Sequence, residues 1–367
     1  MSPGPARRLL AAVLALCAFA AVAQSNPPSA ATAQPAPPAT VIHAGTLLAT
    51  PGEAPLTTRT VVVRGERIVA VEEGFRPASQ YGADARLIDL SDRFVMPGLI
   101  DLHMHLGISM NVDPEVSTSP ARLALSGAGY AKRLLDAGVT TVRDVGDNGG
   151  TVYALRDAIA ACDVPGPRIF AAGRVISRTG GHGAKHPGPT ELHFEPAGCD
   201  GVESCRRAVR ENIDAGADWV KLTVSGSGRE AGGRADAQPI MLDDEIAAAS
   251  EAARRAYRPI AAHAHSTAAI NAALSNGATT IEHGTYFDAA SVRLFKQKRA
   301  WLVPTASVAA FVRSQLSMFA GSGDVKGSEE LKAWADAAVA NPGRAWRAGV
   351  PLALGTDGGP SFDADTT

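Results

Sequence analysis

The chain has 367 residues, 46% of them hydrophobic and 20% charged, enough to enclose a large core and too apolar to remain disordered. Its 35 Lys and Arg nearly balance 37 Asp and Glu, for a formal net charge of −2. No long run of one sign stands out, which argues against a nucleic-acid or membrane-surface partner and leaves a small neutral or amphoteric substrate.

Residues 1–23 carry Arg7 and Arg8, a short apolar run, and then Ala21-Val22-Ala23, the small-x-small pattern of a cleavage site. This reads as an export signal, because the run is too short to span a bilayer comfortably and no second such segment follows. A periplasmic or secreted protein with no membrane span in the mature chain is therefore expected. Leu16 before Cys17 is too large for a lipoprotein site. Residues 24–40 are rich in Pro and Ala and read as a linker. Of the remaining cysteines, Cys199 and Cys205 are close enough in sequence to close a loop in an oxidising compartment, with free thiols as the alternative, and Cys162 is left over.

From Val41 to Val95 the pattern alternates as strands do. "TVVVRGERIVAV" holds two β-rich runs joined at Gly65-Glu66, a two-residue hairpin signal, and the stretch is read as a β-sandwich part. Beyond it the rhythm changes to helices that stop at a glycine and run directly into short apolar strands, with the stops at Gly138, Gly216, Gly277 and Gly349. Together with "FVMPGLIDLHMHLG", "PRIFAAGRVIS", "RPIAAHAHS" and "AWLVPTAS", these joints make eight strands. Eight strands alternating with helices predict an α/β fold, a (β/α)8 TIM barrel over residues 96–367, with its chemistry at the C-terminal strand ends. Residues 178–202 and about 307–328 exceed an ordinary connection and are candidate lids or substrate loops.

The polar residues at those strand ends carry the chemistry. His103 and His105, two apart in "PGLIDLHMHLG", share one strand face, while Leu102 and Met104 turn toward the helices. A single buried imidazole is ordinarily a satisfied core residue, but two on one face suit a metal. Lys221 in "DWVKLTVSG" faces the interior with Trp219 and Thr223. An ammonium there must pair with a carboxylate such as Asp357, or lose its proton and capture carbon dioxide as a carbamate. His263 and His265 of "PIAAHAHS", His283 of "TIEHG" and Asp357 of "GTDGG" complete the set.

On these motifs the sequence resembles the amidohydrolase superfamily, in its binuclear-metal branch of Xaa-Pro dipeptidases, imidazolonepropionase-like proteins and ochratoxin-type amidases. The resemblance runs from about Val41 to Gly359. It implies that His103, His105 and Asp357 hold one divalent ion, that His263 and His283 hold another, and that carboxylated Lys221 bridges them. Zn²⁺ is the expected metal, with Mn²⁺, Co²⁺ or Ni²⁺ as alternatives. It further implies hydrolysis of amide C–N bonds in dipeptides or N-acyl amino acids by a hydroxide held between the metals, with Asp357 as base and then acid.

His182 in the Gly-rich loop, His265 and Tyr286 are the substrate-binding candidates, and Lys185 and His186 are read as surface charge. A homo-oligomer is the expected assembly. The sequence ends ten residues after Asp357, so the elements that would close the barrel and complete the sandwich are expected to be missing. The alternatives are a mononuclear cyclic-amide hydrolase or deaminase of the same superfamily, and an inactive fragment.

Overall fold

A computed structural model describes residues 37–108, 119–147, 150–182, 197–226, 234–314 and 325–360. The expected export signal, most of the linker, and Lys185 and His186 lie outside these residues. Two compact units divide the chain, one ending at Pro97 and the other beginning at Gly98.

The first unit is a four-stranded sheet of β1 (Ala39–Leu47), β2 (Leu56–Arg64), β3 (Arg67–Glu73) and β4 (Arg86–Val95), in the order β3-β2-β1-β4. The expected hairpin is present. Arg64 pairs with Arg67, and Gly65 turns the chain with φ 57°, as a two-residue turn between twisted strands requires.

The second unit is α/β. Its strands are β5 (Leu99–Met104), β6 (Val139–Asp144), β7 (Arg168–Ala171), β8 (Ile176–Ser177), β9 (Ala197–Gly198), β10 (Val220–Thr223), β11 (Ile260–Ala264), β12 (Thr280–His283) and β13 (Trp301–Val303). Between them run α1 (Pro120–Asp136), α2 (Thr151–Ala160), α3 (Val202–Asp214), α4 (Asp243–Arg255), α5 (Thr267–Ser275) and α6 (Ala289–Lys298). After β13 come α7 (Ala306–Ser314) and α8 (Val325–Ala348). The helix-ending glycines behave alike: Gly138, Gly216, Gly277 and Gly349 all have positive φ, so each helix stops where a left-handed residue is tolerated and turns straight into a strand.

The parallel ladders form two sheets, β5-β6-β7 and β13-β12-β11-β10-β8-β9. A closed eight-stranded ring is not drawn as continuous ladders among the described residues, because the segments are short and share few bonds. The predicted third strand is divided: β7 pairs with β6 and β8 with β10. Gly173 lies at the break with φ 69°, and a Cβ there would meet the Tyr153 hydroxyl at 1.9 Å. The predicted eighth strand is an extended segment, yet it bonds on both sides. Leu302 N donates to Pro351 O at 2.9 Å, while Leu102 N and His105 N donate to Leu354 O and Gly358 O, both at 2.9 Å. Asp218 N donates to Ala171 O at 2.7 Å beside β10.

Apolar side chains of β10, β11 and β12 pack outward against the helices. Val220, Leu222, Ala262 and Ile281 share one core cluster with Val209 of α3, Ile246 of α4 and Ile270 of α5. Met104 packs with Tyr130 and Leu134 of α1. This outward apolar face leaves the alternate positions, the histidines and Lys221 among them, inside. The stretch 307–328 is not a plain loop. Its start belongs to α7 and its end to α8, and both helices pack on a separate cluster of Ala309, Leu331, Trp334, Ala335 and Ala338. Cys199 and Cys205 form a disulfide, and Cys162 is an exposed thiol. No helix among the described residues is long and apolar enough to cross a membrane.

Candidate metal centre

β5 and the residue that follows it deliver His103 and His105 to one face, and the extended segment beside it delivers Asp357. Both imidazole Nε2 atoms converge on a single oxygen, Asp357 Oδ1, at 3.3 and 3.1 Å. Asp101, on the same face, fixes the two segments together. Its Oδ1 accepts from His103 N at 2.9 Å, and its Oδ2 accepts from Thr356 Oγ1 at 2.6 Å. Burial pushes the Asp357 carboxyl up, but the imidazoles of His103 and His105 hold it well below the usual carboxylate range. It is therefore an anion ready to ligate a cation.

His263 is the penultimate residue of β11 and His283 ends β12. Burial first, and neighbouring imidazoles next, push both far below the ordinary imidazole range, so both rings are neutral and keep a lone pair for a metal. Ligand atoms of His103, His283 and Asp357 lie within 4.8 Å of one another, as do those of His263, His265 and His283. His283 thus adjoins both groups.

Each ring is aimed by its other nitrogen. His103 Nδ1 meets Glu282 Oε2 at 2.7 Å, His105 Nδ1 meets Gly146 O at 3.2 Å, and His283 Nδ1 meets Thr305 Oγ1 at 2.6 Å. These three leave Nε2 to the site. His263 is reversed, with Nε2 on Gly226 O at 3.1 Å, so it presents Nδ1. Such acceptors fix tautomer and ring direction together.

Lys221 is buried in β10, in register with Ala261. Burial lowers its amine to about 8 against the opposing pull of Glu282 and Asp357. Among the described residues no hydrogen bond or ion pair to its Nζ is found, so the alternative of a direct pair with Asp357 is not seen. A buried amine of lowered pKa beside neutral imidazoles and an ionised carboxylate is the chemistry a carbamate and two divalent ions would complete.

Sequence reasoning missed the layer beneath. Arg143 of β6 is wholly buried. It donates through Nη2 to Glu282 Oε1 at 2.8 Å, through Nε to Leu102 O at 2.6 Å and through Nη1 to Thr280 Oγ1 at 3.0 Å. Its guanidinium carbon lies 4.4 Å from the Trp219 ring centroid. Strict alternation puts Glu282 and His283 on opposite faces, but His283 has φ 69°, and this left-handed residue turns both side chains inward. Thr305 and Asp357 have the same backbone sign, at 48° and 61°. Such conformations cluster at functional sites. The glutamate in "TIEHG" was the only available signal.

Among the substrate candidates, His182 stacks on His263 with ring centroids 4.4 Å apart. His265 packs against His263 and His283, at 4.7 Å from each. Tyr286 packs on the α7/α8 cluster, and its backbone N donates to His265 O at 3.0 Å.

Comparison with known proteins shows what the chain is similar to. The sequence pattern of the amidohydrolase family matches residues 94–365. Ochratoxinase of Aspergillus niger is 33% identical over 354 residues, covering 88% of this chain and 70% of that protein. Its crystal structure aligns with a TM-score of 0.73 at 28% identity, over 89% of this chain and 77% of that one. A Xaa-Pro dipeptidase with methionine bound in its active site aligns with a TM-score of 0.72 at 28% identity, over 87% and 79%. A prolidase complexed with N-methylphosphonate-L-proline aligns at 0.73 and 30%, over 87% and 78%.

Proposed function

Because the chain belongs to the amidohydrolase family and is a hydrolytic enzyme acting on C–N bonds, we propose that it cleaves dipeptides or N-acyl amino acids bearing a free carboxylate at a binuclear metal centre in the mouth of a (β/α)8 barrel. His103, His105 and Asp357 would hold one ion and His263 and His283 the other, with a carboxylated Lys221 as the further ligand. Bound there, divalent ions, most simply Zn²⁺, would supply Lewis acidity toward a water and toward the scissile carbonyl.

The chain's own groups do the rest. Asp357 Oδ1, at the meeting point of two imidazoles, takes a proton from the attacking water and returns it to the leaving amine. His182, against His263, orients the substrate at the rim. Glu282 and Arg143 keep His103 pointed at the ion. The layout proposed for the whole chain is an export signal (1–23), a linker (24–40), a β-sandwich part (41–95) and the barrel, which places the enzyme in the periplasm or outside the cell.

The observation that carries this reading is the buried amine of Lys221, lowered to about 8, beside two groups of imidazole and carboxylate atoms that could hold a metal. Metal analysis, together with a screen of Xaa-Pro, Xaa-Arg and N-acyl amino acid libraries, tests it. We expect two ions per chain and release of a free amino acid. One ion per chain with full activity would instead indicate a mononuclear enzyme.

A further inference from the structure

Asn341 is a polar residue in an apolar place. It lies on the inner stripe of α8, three residues after Ala338 and four before Ala345. Ala338 packs in the α7/α8 cluster and Ala345 in the main core that holds Ile281 of β12, and Asn341 between them is wholly buried. Burying an amide costs free energy unless both of its halves find partners. Here only the nitrogen does. Nδ2 donates to His283 O at 2.8 Å and to Gly284 O at 3.0 Å, while Oδ1 has no hydrogen-bond partner among the described residues. An apolar side chain would suit the stripe better, so what the asparagine contributes lies in those two carbonyls.

Both carbonyls belong to the turn that ends β12. Gly284 N donates to Glu282 O at 2.9 Å and to Ala264 O of β11 at 3.0 Å. With His283 between them at φ 69°, residues 282–284 form a γ-turn of the rare, strained, positive-φ kind. The ladder to β13 stops at Glu282, and from there α8 acts as the donor. Arg344 continues the pattern, with Nη2 on Phe287 O at 3.0 Å and Nη1 on Thr285 O at 3.5 Å. The turn decides which side chains enter the site. With positive φ at His283, Glu282 reaches Arg143 and His103 while His283 reaches Thr305. With the extended φ that a histidine ordinarily adopts, alternation would turn one of the two outward. We propose that Asn341 is a positioning residue that holds the γ-turn at His283 closed, and with it the inward placement of both Glu282 and His283. The proposal rests on the reading above for the role of His283 and deepens it by adding a side chain whose hydrogen bonds go only to backbone.

The test is local hydrogen exchange in the full chain, with and without added Zn²⁺. The sequence contains two His-Gly pairs, 182–183 and 283–284. Labelling histidine with ¹³C at the carbonyl and glycine with ¹⁵N therefore leaves two amide signals in a carbonyl-filtered spectrum, and the one that survives in His182→Ala is Gly284. We expect this amide to exchange slowly in the wild type. In Asn341→Ala its exchange should quicken about tenfold or more, the equilibrium worth of two neutral hydrogen bonds. Zn²⁺ affinity, read by chelator competition, should fall about 10- to 100-fold, and the turnover lost should return at high Zn²⁺.

Arg344→Met is the control. It removes donors from the same helix to the same connection, but beyond His283. It should lower Tm while Gly284 exchange, measured at the same interval below Tm, and Zn²⁺ affinity stay as in the wild type. Should Asn341→Ala fail to fold, Asn341→Ser, whose hydroxyl can serve one carbonyl, carries the comparison with a smaller rise in exchange. Rapid Gly284 exchange in the wild type overturns the proposal, as does wild-type exchange or Zn²⁺ affinity in a folded Asn341 variant. Equal losses in Arg344→Met also overturn it, since α8 would then be a brace and nothing more. Failure of the binuclear reading is a separate result: the wild-type chain would then not bind two ions, while the exchange rates still stood.

Discussion

Glu282→Gln is the most searching perturbation of the site, because it changes one charge and almost no volume. Glu282 is wholly buried and joins Arg143, at 2.8 Å, to His103 Nδ1, at 2.7 Å. Burial alone would raise its carboxyl, but Arg143 and His103 hold it at about 2 instead of 4.5. That difference corresponds to about 3 kcal/mol at neutral pH, at about 1.4 kcal/mol per tenfold. Because the folded value is depressed, this stability is complete above pH 4.5 and is lost progressively as pH falls toward 2.

The amide can still accept from Arg143, but it leaves that guanidinium buried without an anion, which costs about 3 to 5 kcal/mol. Its NH₂ then faces His103 Nδ1. To avoid opposing donors the imidazole must move its proton to Nε2, the atom that points at Asp357 Oδ1. The lone pair meant for a metal is then covered, and affinity should fall about 10- to 100-fold. Urea unfolding of the apo protein reads the first effect, and chelator competition reads the second. A variant within 1 kcal/mol of wild type, with metal affinity unchanged, would refute the role given to this network.

Lys221→Met should abolish metal loading and turnover yet stabilise the apo protein at pH 7. In the folded state the amine titrates at about 8, below its ordinary 10.5, so the unfolded chain binds more protons between these values and wild-type stability rises with pH across that window. The advantage of the variant, up to about 3 kcal/mol by the same conversion, should shrink toward pH 10 in unfolding titrations. Asp357→Asn should lose turnover far more than metal, read by steady-state kinetics beside metal analysis, since an amide takes no proton. His182→Ala should raise KM with metal content intact; a drop in metal would place His182 among the ligands. Removing the Cys199–Cys205 disulfide, whose partners are six apart, should cost about 2 kcal/mol by the loop-entropy relation, measurable as a lower Tm of Cys199→Ser/Cys205→Ser.

Which polar residues face the candidate site was largely legible from periodicity. The two-residue spacing of His103 and His105 obliges them to share a face in any strand, and the helix-stopping glycines mark where each strand must begin, because only a left-handed residue lets a helix turn back at once. The buried Lys221 was equally visible, since its neighbours Val220 and Leu222 had to face the helices. What local pattern could not carry was partnership across the fold. Arg143 and Glu282 are 139 residues apart, and Asn341 and His283 are 58 apart. Nothing in either stretch announces the other. Left-handed backbone at His283 overrides the alternation that would have hidden Glu282. Which nitrogen of each imidazole keeps its lone pair is decided by whether a donor or an acceptor arrives at the opposite side of the ring. Residue types and spacing determined that histidines, a lysine and an aspartate would meet. Only the tertiary contacts decided which nitrogen of each ring faces the candidate site, because a lone pair is a property of a ring and its neighbour together.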